Sequence, residues 1–200
     1  TCRTATVPQL IRKISHHIAH ATVIDRNRGV KRRCDIVPLK GNVWLLPTHM
    51  LEGDDLEIFV QTTAPDVLGK NFSQKLSSIC WHNIGNDLSL VRLVNGGDVP
   101  DMSKFLPKSL INHTSDIYAS FIYKDADGYC ENNMIKIKSA GQFHSRGGKF
   151  SGVDYDYVEP TLPGLCMGVL VLQQKAPCIL GFHLAGKNGT TYGAAATLTQ

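Results

Sequence analysis

No apolar run in this 200-residue sequence approaches the roughly 18 residues of a membrane-spanning helix. No low-complexity tract and no internal repeat is visible, so disordered and solenoid architectures have nothing to build on. Six cysteines are present (Cys2, Cys34, Cys80, Cys130, Cys166 and Cys178), but no Cys-x-x-Cys pair, which removes the usual spacing of a structural zinc site. A chain this long and rich in core residues has no need of disulfide staples, so reduced thiols in a cytosolic setting are expected. The sequons at Asn71, Asn112 and Asn188 are then incidental. No signal peptide is visible and the first residue is not methionine, which suggests a segment cut from a longer chain.

What is present fits a folded protein: 42% of residues are hydrophobic and 19% charged. The formal net charge of +4 is unevenly spread, because residues 1–40 carry nine Lys and Arg against Asp25 and Asp35, a local +7. That excess suits an anionic partner, RNA above all, and equally suits a solvated surface.

Helical spacing occurs once. In "TVPQLIRKISHHI", Val7, Leu10, Ile11, Ile14 and Ile18 recur on one face, Thr6 and Gln9 can form a capping box, and Pro8 fits the first turn. Arg12, Lys13 and His16 then point to solvent. Beyond it, eleven short strand-like segments follow one another, separated by turn signals, from "HATVID" to "TYGAAATL". Many short strands without long helices predict an all-β sandwich or barrel. Residues 95–110 show no strand signal. The expected division is a helix and first barrel over 1–98, a linker over 99–110 and a second barrel over 111–200.

Three residues carry the chemistry. Cys166 lies between Gly164 and Gly168 in "EPTLPGLCMGVLVLQQ", ahead of a buried strand. His49 follows the apolar strand of "VWLLPTHML", and Asp87 precedes another in "GNDLSLVRLV". Taken singly, each has a structural reading: a small core hydrophobe, a core histidine, a turn aspartate. Their order, His then Asp then nucleophile, is the chain order of the chymotrypsin architecture. A thiol needs an imidazole to take its proton, and the imidazole needs a carboxylate to hold its tautomer. A glycine-flanked turn can aim backbone N–H groups of Gly164, Leu165 and Cys166 at one point as an oxyanion hole. Asp54, Asp55 and Glu57 compete with Asp87 for the acid's role.

"YVEPTLPGLCMG" resembles the nucleophile segment of the 3C-type cysteine proteases of picornaviruses and their relatives, patterned Tyr-x-x-Pro-Thr-x-x-Gly-x-Cys-Gly-Gly. "LLPTHML" resembles that family's histidine segment and "GFHLAGKNG" its Gly-x-His-x-Gly-Gly segment. Met167 and Ala185 depart from it, standing where the family usually has glycine. The resemblance implies an all-β, chymotrypsin-like double β-barrel with an N-terminal α-helix, belonging to a positive-strand RNA virus. It implies a polyprotein-processing endopeptidase that cuts after glutamine in the host-cell cytoplasm and needs no cofactor or metal. Thr161 and His183 match the glutamine-recognising positions, with Ala185 and Gly186 beside them, and Tyr157 matches a tyrosine that keeps His183 neutral. The chain's final residue, Gln200, agrees with that specificity. Viral RNA is the second implied partner, through Arg12, Lys13, Lys104 and Phe105, although Lys104 and Phe105 match only the first half of the family's Lys-Phe-Arg-Asp segment. The rival reading is an RNA-binding module of a viral replication complex without important protease activity. A papain-type enzyme is a poor fit, since its cysteine comes early and its histidine far downstream.

Overall fold

The computed structural model describes residues 5–62, 71–111, 116–124, 130–157 and 165–200, with backbone alone over 130–133. The helix α1, Val7–His17, starts as expected: Thr6 Oγ1 accepts from Gln9 N at 3.4 Å and Thr6 N donates to Gln9 Oε1 at 2.9 Å. Leu10 and Ile14 of α1 and the capping Ile18 are buried, and the helix makes its main strand contacts in the C-terminal half, with Tyr118–Lys124 and Val169–Leu172.

Thirteen strands follow among the described residues. β1 (Ala19–Asp25), β2 (Val30–Lys40), β3 (Val43–Pro47), β4 (Leu56–Gln61), β5 (Phe72–Leu76), β6 (Trp81–Gly85) and β7 (Leu88–Arg92) form one antiparallel sheet. Its order is β5-β4-β1-β2-β3-β7-β6. The sheet curls without a backbone ladder between its edge strands. Instead the Gln74 amide of β5 reaches the end of β7, donating to Arg92 O and accepting from Val94 N, both at 2.9 Å. β8 (Tyr118–Lys124), β9 (Cys130–Ser145), β10 (Gly148–Asp156), β11 (Val169–Leu172), β12 (Ile179–Gly186) and β13 (Tyr192–Ala196) close into a barrel ordered β10-β13-β12-β11-β8-β9.

The segment between the sheets is pinned along its way. Gly41 and Val99 exchange backbone bonds at 3.1 and 3.0 Å, and Met102 N donates to Leu39 O at 2.7 Å. Val37, Leu39, Leu45 and Leu88 of the first sheet share one buried cluster with Met167, Val169, Phe182 and Leu184 of the second half and with Leu10 and Ile14 of α1. Burying such side chains contributes about 1.5–3 kcal/mol each, so the two halves are held by a continuous apolar core.

Candidate active site

β3 ends at Pro47, and a short 3₁₀ turn, Thr48–Leu51, carries His49 into a nearly closed position with 6% of its surface exposed. Asp87 comes from the two-residue loop between β6 and β7, where Gly85 pairs with Leu88. Asn86 and Asp87 have φ of 54° and 56°. Positive φ at both positions is what a type I′ hairpin demands, and Asn and Asp tolerate it better than other side chains. The loop meets the histidine turn through Thr48 N, which donates to Asp87 O at 2.8 Å.

Both carboxylate oxygens are then used on one residue. His49 N donates to Asp87 Oδ1 at 2.9 Å, and the ring Nδ1 lies 2.6 Å from Oδ2. Glu57, a competitor in sequence, is engaged elsewhere with Arg26, 2.6 Å from its Nε. Burial alone would drive the His49 pKa down. Its bonds to Asp87 and to the Cys166 thiol, with their charges, outweigh that and lift it to about 9. Burial works against the Asp87 carboxylate too, but the bonds from His49 and Ser145 prevail and hold its pKa below the ordinary value. A proton is thus stable on an imidazole held by a buried carboxylate.

Cys166 stands on a closed β-turn, since Gly168 N donates to Leu165 O at 3.0 Å. Cys166 and Met167 are its central residues, and Met167 has φ 70°. Positive φ at the second central position marks a type II turn, where glycine is usual. Met167 accepts that conformation while its side chain is fully buried in the core between the two sheets. Three further backbone bonds seat the turn: Asp35 N to Cys166 O at 3.0 Å, Met167 N to His183 O at 2.7 Å, and His183 N to Gly168 O at 2.8 Å. The thiol remains half-exposed, 3.9 Å from the Leu184 carbonyl. Of the expected oxyanion-hole residues, Leu165 and Cys166 belong to this turn, while Gly164 lies outside the described residues, as does Thr161.

His183 on β12 is 4% exposed, and burial lowers its pKa to about 4. The ring is therefore neutral near pH 7. Its Nδ1 is hydrogen-bonded by the Tyr155 hydroxyl of β10, and burial pushes that phenol's pKa well up, keeping the proton it donates. The partner is thus Tyr155 and not the expected Tyr157. Side chains two apart on a strand share a face, so the pattern alone could not choose between them. Tyr157 instead sets its ring edge-on to Phe121 with centroids 5.1 Å apart, and Phe121 in turn meets His183 at 5.5 Å. A register irregularity between His183 and Ala185 turns the strand, and Ala185 and Gly186 complete its end.

On α1, Arg12 is exposed, and Lys13 reaches the segment between the sheets. Lys13 Nζ and Lys104 Nζ stand 5.5 and 5.2 Å from the centroid of the Phe105 ring. Sequence reasoning did not single out Asn86, Ser145 or Tyr155, all of which touch the site; a serine before a glycine turn carries no signal of its own. Among the described residues Cys34, Cys80, Cys166 and Cys178 are free thiols, and no group of three His, Cys, Asp or Glu is placed to hold a metal. No described helix is long and apolar enough to cross a membrane.

Comparison with known proteins places this arrangement. The family model for the 3C cysteine protease (picornain 3C) matches residues 7–189. The tobacco etch virus protease complexed with product is 16% identical, with a TM-score of 0.64 over 95% of this chain and 76% of that one. The 3C protein of HRV-C with rupintrivir is 16% identical, with a TM-score of 0.59 over 95% and 96% of the two chains. The NS6 protease of murine norovirus 1 is 14% identical, with a TM-score of 0.54 over 84% and 86%. At these identities the structures establish the chymotrypsin-like fold. No curated protein sequence matches the chain. With the family model spanning both sheets and all three catalytic residue types, the chain belongs to the 3C cysteine protease (picornain 3C) family and is a viral cysteine endopeptidase.

Proposed function

We propose that the protein processes a viral polyprotein by cutting after glutamine, with Cys166 as nucleophile, His49 as general base and acid, and Asp87 as the carboxylate that orients His49. The observation that carries this reading is the single buried imidazole whose Nδ1 lies 2.6 Å from Asp87 Oδ2. The thiolate attacks the scissile carbonyl, and backbone N–H groups of the cysteine turn receive the developing oxyanion. The imidazolium gives its proton to the leaving amine, and the neutral ring then activates the water that releases the acyl group. Free thiols on the described chain suit the reducing host-cell cytoplasm.

Glutamine selection rests on His183. A neutral ring that accepts the Tyr155 hydroxyl on Nδ1 carries its one proton on Nε2, ready for a side-chain carbonyl. A glutamate would bring an unpaired charge into the pocket, and leucine would leave the donor unmatched. The test is cleavage of a peptide library by wild type, Cys166→Ala and His183→Leu. Wild type should prefer Gln to Glu and Leu by about a hundredfold or more in kcat/KM. Cys166→Ala should keep its fold and fall below about a thousandth of wild-type rate. His183→Leu should lose the preference more than the rate. Residual cleavage by Cys166→Ala, or a basic or aromatic residue before the cut, would refute the assignment.

RNA binding is a second activity, favoured by the two lysines on Phe105, which put a cationic, stackable platform on α1 and the inter-barrel segment. A module that only bound RNA would show no preferential alkylation of Cys166 by an iodoacetamide-type reagent.

A further inference from the structure

Ser145 ends β9, where the β9–β10 hairpin of the barrel folds over the β6–β7 turn of the other sheet. Its hydroxyl donates to Asp87 Oδ2 at 2.6 Å, the same oxygen that faces His49 Nδ1. The hydroxyl oxygen meanwhile accepts from Gly147 N at 3.1 Å, which fixes the direction left for its proton. The other acceptor in reach, Gly148 O, is at 3.4 Å, so the nearer and charged oxygen takes the bond. A second tie runs from Ser151 N to Asn86 Oδ1 at 3.0 Å, holding the hairpin to the residue beside the acid. The fit leaves no slack, because a Cβ on Gly147 would come within 2.0 Å of Asp87 Oδ1. The Asp87 side chain is fully buried beneath this contact.

The geometry points to Ser145 as a positioning residue that orients Asp87 for His49, supplied across the barrel interface by the β9–β10 hairpin; the inference rests on the catalytic reading above. Asp87 Oδ2 faces two donors and Oδ1 faces His49 N. Without the serine hydroxyl, a buried carboxylate is one partner short and free to turn away from the imidazole. Asp87 is fully buried and Ser145 acts through it, so the loss should fall on kcat and leave KM in place.

The experiment measures steady-state cleavage of the best library peptide by Ser145→Ala, Ser145→Thr, Gly147→Ala, Asp87→Asn and the Ser145→Ala/Asp87→Asn double variant, with thermal melting as the check on folding. Ser145→Ala should lower kcat by about tenfold with KM within about twofold. Ser145→Thr keeps the hydroxyl and should recover most of that loss. Gly147→Ala, which pushes the hairpin off the carboxylate, should lose as much as Ser145→Ala by a different route. In the Asp87→Asn background, Ser145→Ala should cost little more, since the two residues act as one unit. Unchanged kcat in both Ser145→Ala and Gly147→Ala, or a loss of full size in the Asp87→Asn background, overturns the role of Ser145. If Asp87→Asn itself leaves kcat intact, the catalytic reading of the acid falls instead.

Discussion

Met167 holds a backbone conformation that side chains avoid, with φ 70°, and buries its side chain completely. Strain at that turn costs on the order of 1 kcal/mol, whereas removing a buried methionine side chain costs about 2–5 kcal/mol. Packing therefore wins, and methionine stands where the turn alone would prefer glycine. The same arithmetic predicts an inverted order for two truncations. Met167→Gly loses the packing but relieves the strain, so it should be destabilised by about 1–4 kcal/mol. Met167→Ala loses nearly as much packing and keeps the strain, so it should be the less stable of the two despite its larger side chain. Urea unfolding midpoints of the three proteins decide it; an alanine variant as stable as wild type would show that the side chain is not the anchor. The sequence made Met167 conspicuous as a departure from pattern. It could not show that the side chain is locked between two sheets, because the buried cluster it joins includes Leu45 and Leu88, which lie far back along the chain.

At the scale of elements, α1 was legible to the residue of its cap, since Thr6, Pro8 and Gln9 are local neighbours that act within one turn. Eleven strands were legible as alternating or apolar runs. β5 and β6 were not: "FSQKL" and "WHNIG" are largely polar and bury little. They are edge strands, and only their pairing with β4 and β7 makes them strands at all. The docking of α1 brings Lys13 to the Phe105 ring beside Lys104. If that platform binds RNA, log K should fall linearly with log salt, with a slope of about −0.7 per single-strand phosphate neutralised. Replacing Arg12, Lys13 and Lys104 with alanine should flatten the slope and leave peptide cleavage unchanged, as read by fluorescence anisotropy across a salt series. A salt-independent affinity would remove the phosphate contacts from the reading.

The molecule as a whole is fastened beneath the nucleophile by Asp35. Its N–H donates to Cys166 O, and its carboxylate accepts from Lys124 N at 2.6 Å and lies 3.2 Å from His20 Nδ1, so one buried residue of β2 ties the first sheet to the barrel. Burial pushes its pKa up to about 6 from an ordinary 3.8, with the bonds from His20 and Lys124 pulling only partly back. A pKa raised on folding contributes stability that is fully present below the unfolded value and is lost as pH rises through the folded one. Wild type should therefore lose on the order of 2–3 kcal/mol between about pH 4 and pH 6 from this group. Asp35→Asn keeps the shape and removes the titration, so the stability difference between variant and wild type should shift in the variant's favour across that window. Urea unfolding at pH 4 and pH 7 measures it, and parallel pH profiles for the two proteins would refute the clamp's charge. The residue types of the site, their order and the glycine-flanked turn were determined by the sequence itself, because turn chemistry and strand alternation act between neighbours. Which tyrosine meets His183, which hydroxyl meets Asp87, and which sheet receives α1 were decided only by the tertiary structure. Those partners lie on different strands or different sheets, and pairing and packing, not spacing along the chain, set their distances.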